Sequence, residues 1–242
     1  MSKGKLFILS GCSGVGKSTV TTMLAVAMQK MGFKAAVLDA DITGPSIPKA
    51  FGLKNVEVYG DDNGMIPPSS KTGIDMMSVN LLLGDDETKP VILRGAMIAG
   101  TVQQFWKDTI WNADVLLVDC PPGTGDVPLT VFQSLPLDGI VIVSSPQDLV
   151  AMIVKKAANM ADMMKIPVLG LVENMSYFTC PKCSEKHEIF GESQAESLAK
   201  RFEIDNVVRL PINPDFARTI DAGAAENLII PDFESFTSKI TD

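Results

Sequence analysis

Gly11-Cys12-Ser13-Gly14-Val15-Gly16-Lys17-Ser18, near the start of the chain, has the residue types and spacing of a phosphate cradle. The stretch follows the apolar run Leu6-Phe7-Ile8-Leu9 and precedes a helical pattern beginning near Thr19, which is the strand, loop and helix setting a cradle requires. Gly11, Gly14 and Gly16 let the backbone turn tightly and aim successive N–H groups at phosphate oxygens. The following helix adds the positive end of its dipole. In such a loop Lys17 reaches the β- and γ-phosphates and Ser18 binds Mg²⁺. A bound nucleotide needs more metal ligands and a group to orient the attacking water, and open α/β sheets supply them from the carboxyl ends of neighbouring strands. Val115-Leu116-Leu117-Val118-Asp119 is an apolar strand ending in a carboxylate, so Asp119 is expected to hold Mg²⁺ directly or through water. Val37-Leu38-Asp39-Ala40-Asp41 likewise runs into acids. Asp41 is assigned to the attacking water and Asp39 to the outer shell of the metal, a solvated strand end being the plainer alternative. Lys17 and Asp41 are thus the candidate catalytic residues.

A second constellation lies far along the chain. Cys180-Pro181-Lys182-Cys183 presents two sulfurs on one tight turn, which suits a soft metal or a cluster. Two thiolates are half of what a [4Fe–4S] cluster or a four-cysteine zinc site requires. The remaining cysteines, Cys12 and Cys120, belong to motifs of the nucleotide site. A two-fold dimer would supply the missing pair by symmetry and place one cluster on its axis. A zinc site that recruits the only histidine, His187, and a redox dithiol are the alternatives.

The elements that must position these groups follow from the pattern. Short apolar runs alternate with helical stretches, the signature of a doubly wound, mainly parallel α/β sheet with helices on both faces. Strands are expected at Leu6–Ser10, Ala35–Asp39, Ile74–Val79, Val115–Asp119, Gly139–Ser144, Val168–Glu173 and Val207–Leu210. Helices are expected at Ser18–Met31, Gly95–Trp106, Gln147–Met164, Gly191–Arg201 and Pro214–Ala222. Loops 41–48 and 119–126, rich in Gly and Pro, suit γ-phosphate-sensing switches. The reading is one P-loop NTPase domain over residues 1–242, with a hairpin insertion at 55–68 and a metal loop at 176–190. Met23, Met28 and Met31, and again Met160, Met163 and Met164, recur at near-helical spacing and read as core packing.

With 46% hydrophobic and 21% charged residues in 242, the chain has the balance of a soluble globular protein. A formal net charge of -8 argues against a broad nucleic-acid footprint. No stretch is apolar enough to span a bilayer, and the Lys3/Lys5 start lacks a small-residue cleavage site. A cytoplasmic protein is expected, its 4 Cys being thiols or metal ligands.

The P-loop, Leu38-Asp39-Ala40-Asp41-Ile42-Thr43-Gly44-Pro45-Ser46-Ile47-Pro48, Asp119-Cys120-Pro121-Pro122-Gly123-Thr124-Gly125-Asp126, and Glu173-Asn174-Met175-Ser176-Tyr177-Phe178 with the cysteine pair together closely resemble the Mrp/ApbC group of P-loop ATPases, within the MinD/ParA-type class. The resemblance runs from about Lys5 to Pro231. It implies an ATP-binding homodimer, with ATP at Gly11–Thr19, that holds a cluster at its interface and passes it to apo iron–sulfur proteins. It also implies that Asn174 contacts the adenine ring, with Pro211 and Asn213 on the other side. A guanine-reading Asn-Lys-x-Asp is absent, since Met175 and Tyr177 follow Asn174, and ATP is favoured over GTP.

Cys12 departs from the class pattern, which has at this position a lysine that reaches the partner's nucleotide. A thiol is shorter and carries no positive charge, so slow hydrolysis is expected. Two other readings compete. A spatial-positioning ATPase would want a basic amphipathic tail or a basic stripe, whereas this chain ends Pro231-Asp232-Phe233-Glu234-Ser235-Phe236 before its last residues. A small-molecule kinase would want clustered arginines, and here Arg94, Arg201, Arg209 and Arg218 are scattered.

Overall fold

A computed structural model describes residues 4–41, 46–54, 56–82, 95–123 and 126–241. In chain order the elements are β1 (Lys5–Gly11), α1 (Lys17–Lys30), β2 (Ala35–Asp39), α2 (Ile47–Ala50), β3 (Tyr59–Asp61), β4 (Gly64–Ile66), β5 (Asp75–Ser78) and α3 (Gly95–Asp108). They continue with β6 (Val115–Asp119), α4 (Asp126–Ser134), β7 (Gly139–Ser144), α5 (Asp148–Met163), β8 (Val168–Thr179) and β9 (Lys186–His187). The last are α6 (Ala195–Arg201), β10 (Val207–Pro211), α7 (Pro214–Asp221) and α8 (Pro231–Thr241).

The main sheet has the order β10-β8-β7-β1-β6-β2-β5, and each neighbouring pair in it is parallel. β9 joins it antiparallel, as the return strand of β8. β3 and β4 form a separate antiparallel ribbon. The central strands are buried on both faces, which is why they read as continuous apolar runs. Along β1, Leu6 and Ile8 enter one core while Phe7 and Leu9 enter the other. The first core is closed by α3, α4, α5 and α6 through Phe105, Phe132, Val154 and Leu198. α1 and α8 close the second, through Leu24, Met28, Phe233 and Phe236. This is the doubly wound parallel sheet expected from the alternation of runs.

Several boundaries differ from the expectations. β8 continues six residues beyond Glu173, to Thr179, because its polar second half pairs with β9 and β10 rather than entering a core. α6 starts at Ala195, since the Gln194 N–H is engaged by the buried Glu173 carboxylate. Residues after Pro231, read as an acidic tail, form α8. Its Phe236 ring fits over β8 where Gly170 stands: a Cβ there would lie 2.6 Å from Phe236 Cζ. Met23 and Met28 are core residues, but Met31 and Met163 are exposed.

Candidate functional site

β1 delivers the chain to the glycine loop at the carboxyl edge of the sheet, between β6 and β7. Gly14 and Gly16 have φ of 80° and 82°, the left-handed region that glycine enters freely. Gly16 is the N-cap of α1 and offers no side-chain partner to the first N–H groups of that helix. The first N–H groups of a helix have no partner within it, which is what a phosphate site uses. Lys17 is 7% exposed, and its Nζ donates to the Cys12 carbonyl at 2.9 Å.

Three acids stand beside the loop. Asp39 and Asp119 close neighbouring strands in register, β2 against β6. Asp119 is buried and accepts from Ser18 Oγ at 2.5 Å and from Thr21 Oγ1 at 3.0 Å. Asp39, also buried, accepts from the Asp41 N–H at 3.2 Å and from Ser78 Oγ at 3.3 Å. Burial pushes the Asp119 carboxyl up to about 6, against the Ser18 and Thr21 hydrogen bonds and the Lys17 charge, which lower it. Burial first, and then the neighbouring Asp119 and Asp41, raises Asp39 well above the ordinary carboxylate range. Carboxylates crowded at such cost in a dry corner are relieved by a divalent cation, and Ser18 Oγ with Asp119 forms an oxygen pair that suits Mg²⁺.

Cys12 packs partly against the second core, and burial raises its thiol in spite of Lys17 nearby. It is therefore a small packed residue, not a reactive thiolate. Asn174, 8% exposed, stands on the loop itself, its Nδ2 donating to Val15 O at 2.9 Å. Pro211 and Asn213 line a cavity of about 450 Å³ that they share with Phe178, Thr179 and Pro181. Asn213 Oδ1 caps α7 by accepting from the Asp215 N–H at 2.9 Å.

The cysteine pair sits at the tip between β8 and β9. Cys180 donates its N–H to Glu185 O at 2.9 Å, and Ser184, with φ of 60°, donates to Cys180 O at 2.8 Å. The Cys183 and Lys182 backbone N–H groups turn toward the Cys180 sulfur and lower its thiol below the ordinary value. Cys183 is exposed. His187 is in β9, opposite Phe178, with Nε2 4.0 Å from Glu185. Among the described residues no group of three or more His, Cys, Asp or Glu is arranged to hold a metal.

Comparison with known proteins settles the kinship. A family model for the NUBPL iron-transfer P-loop NTPase, of the ParA group, matches residues 2–241. The chain belongs to this family. It is 46% identical over 223 residues to a protein of Methanocaldococcus jannaschii named iron-sulfur cluster carrier protein, an alignment covering 91% of this chain and 77% of that one. A nucleotide-binding protein from Archaeoglobus fulgidus, solved in complex with ADP and with Co, superposes at a TM-score of 0.86 and 43% identity, covering 97% and 92% of the two chains. The septum site-determining protein MinD of Pyrococcus horikoshii, solved with Mg-ADP, shares the fold at a TM-score of 0.62 and 16% identity, over 98% and 94%.

In this member of the family the structure brings Lys17, Ser18, Asp39, Asp119 and Asn174 to the glycine loop, and keeps Cys180 and Cys183 apart on a hairpin. Cys120 is not at the nucleotide site by its side chain. It packs in the first core, and burial raises its thiol strongly. Thr21 and Ser78 join the site without a motif to mark them; Thr21, one turn after Lys17, bonds both Lys17 O and Asp119, and that one-turn spacing is its signal in the sequence. Residues 42–45 of the first switch loop, Thr124 and Gly125 of the second, Asn55, Lys3 and Arg94 lie outside the described residues. No helix among the described residues is long and apolar enough to cross a membrane.

Proposed function

We propose that this chain is a cytoplasmic, ATP-dependent iron–sulfur cluster carrier that works as a homodimer. The carrying observation is the Cys180/Cys183 pair, Cys183 exposed and Cys180 partly so, half a ligand set on a tight turn, in a chain of the iron-transfer family. With no third ligand beside the pair among the described residues, a second copy completes the set by symmetry better than His187 does in a zinc site. The turn N–H groups favour the Cys180 thiolate, the form that binds iron. The cluster is cargo, and the exposed tip is where an apo-acceptor would collect it.

At the other site, Gly11–Thr19 cradle the phosphates of ATP, and Lys17 exchanges the Cys12 carbonyl for phosphate oxygens. Mg²⁺ supplies charge neutralisation at the phosphates when bound, with Ser18 and Asp119 as ligands and Asp39 behind them. Asp41 orients the attacking water. Asn174 fixes the loop beneath the base, and Pro211 and Asn213 border the space beyond it. Cys12 leaves the transition state without a partner's cation, and hydrolysis is slow.

Transfer to an apo-acceptor, followed by visible absorbance, tests the reading. ATP should accelerate transfer from the parent and leave Lys17→Ala unaffected; transfer indifferent to both would overturn it.

A further inference from the structure

β8 carries residues of both sites, and it is not a regular strand. Its pairing with β10 runs through Glu173 and Arg209 and resumes only at Tyr177 and Pro211. Asn174, Met175 and Ser176 therefore stand opposite Leu210 alone, a bulge of the kind that re-aims side chains beside functional sites. Met175 at its centre has φ of 55°, a conformation that residues with side chains rarely adopt.

The bulge sends its two ends to different places. Asn174 turns to the glycine loop and bonds Val15 O. Gly16 next to it has no room for a side chain, since a Cβ would lie 2.5 Å from Asn174 Nδ2. Ser176, fully buried, turns the other way: its Oγ donates to Glu173 Oε2 at 2.6 Å and accepts from Arg209 Nε at 2.7 Å. Glu173 is buried too, with the Arg209 Nε at 3.6 Å as counter-charge and the Gln194 N–H as a further donor. The far side of the same guanidinium donates to Glu188 Oε1 at 2.7 Å, one residue past β9 on the return arm of the cysteine hairpin. Arg209 also lies 5.9 Å from the Tyr177 ring, which Lys186 of β9 covers at 4.3 Å.

One side chain thus ties together the buried acid adjoining Asn174, the bulge, and the return arm that follows Cys183. We infer that Arg209 is a positioning residue that couples the glycine loop to the cysteine turn. Its planar fork holds the hairpin in a fixed attitude to Asn174, so a shift of the loop on nucleotide binding is delivered to Cys180 and Cys183 and not lost in the bulge. The inference rests on the proposal that the loop binds ATP, but it needs no cluster.

The test uses the full, reduced, metal-free chain. Alkylation rates of Cys180 and Cys183 are read peptide by peptide with and without Mg-ATP, while a fluorescent ATP analogue measures binding. In the parent, nucleotide should change the two rates by about fivefold or more. In Arg209→Gln, binding should stay within about twofold of the parent while the rate change largely disappears. Glu188→Ala, which cuts the exposed arm without uncovering Glu173, should lose the rate change with the thermal midpoint unaltered. Arg209→Lys, which keeps the charge without the fork, should not restore it. A parent-like rate change in Arg209→Gln and Glu188→Ala would overturn the inference. So would ATP binding to the parent with unchanged thiol rates, which leaves the nucleotide reading standing; a parent that binds no ATP refutes that reading and the inference with it.

Discussion

Asp119 has a carboxyl that burial lifts from 3.8 to about 6, and this has a consequence for stability. A raised value means that the folded chain binds the proton more tightly than the unfolded chain, so stability falls as pH rises from about 4 to about 6 and stays reduced above. Asp119→Asn should therefore raise the stability of the nucleotide-free protein at pH 7 by roughly 2 to 3 kcal/mol, and add little near pH 4. Thermal unfolding across that range checks it; an equal gain at both ends contradicts the assignment. The same variant should lose Mg²⁺-dependent nucleotide affinity. At the loop, Cys12→Lys places a cation where the chain has a packed thiol, and single-turnover hydrolysis should rise at least about tenfold. Equal rates for parent and variant would mean that the missing lysine does not limit the reaction.

The elements show which features a sequence displays and which it hides. β1, β2, β6 and β7 are buried on both faces, and nothing but an apolar run could fill them, so their limits were legible to within a residue. The glycine loop was legible because its φ values demand glycine at Gly14 and Gly16. The second half of β8 was not: its residues face β9, β10 and a polar network, and no periodicity marks a bulge. Nor could α8 be seen, because Phe233 and Phe236 face a core built by α1 while the polar Glu234 and Ser235 lie between them. Long-range pairs such as Ser176 with Arg209, 33 residues apart, leave no local trace. Strand ends that stop in a carboxylate did point to Asp39 and Asp119, but their mutual crowding emerges only from the register of β2 on β6. At this scale Gly16→Ala is informative. It forces a side chain into φ of 82° and against Asn174, so nucleotide affinity should drop about tenfold or more and stability by about 1 to 3 kcal/mol. Isothermal titration and denaturant unfolding read the two effects, and a neutral substitution would show that the loop is not held as described.

As a whole, the molecule is a parallel sheet that presents a glycine loop and an acid cluster at the carboxyl edge and extends one strand beyond it to a cysteine turn. The sheet supplies rigidity: both cores are built from side chains that alternate across the same strands, so the two sites share one frame. Among its described residues the chain groups no three metal-ligating side chains, and the proposed second copy would supply the missing ligands. It would not supply a cation to the glycine loop, since it carries Cys12 as well. The central claim is that two chains share one cluster through Cys180 and Cys183. Anaerobic reconstitution with iron and sulfide, followed by metal and sulfide analysis and native mass determination, tests it most directly. The account predicts about four iron and four sulfide per two chains in a dimer, lost in Cys180→Ala. One metal ion per single chain, or a cluster that survives Cys180→Ala, would contradict it.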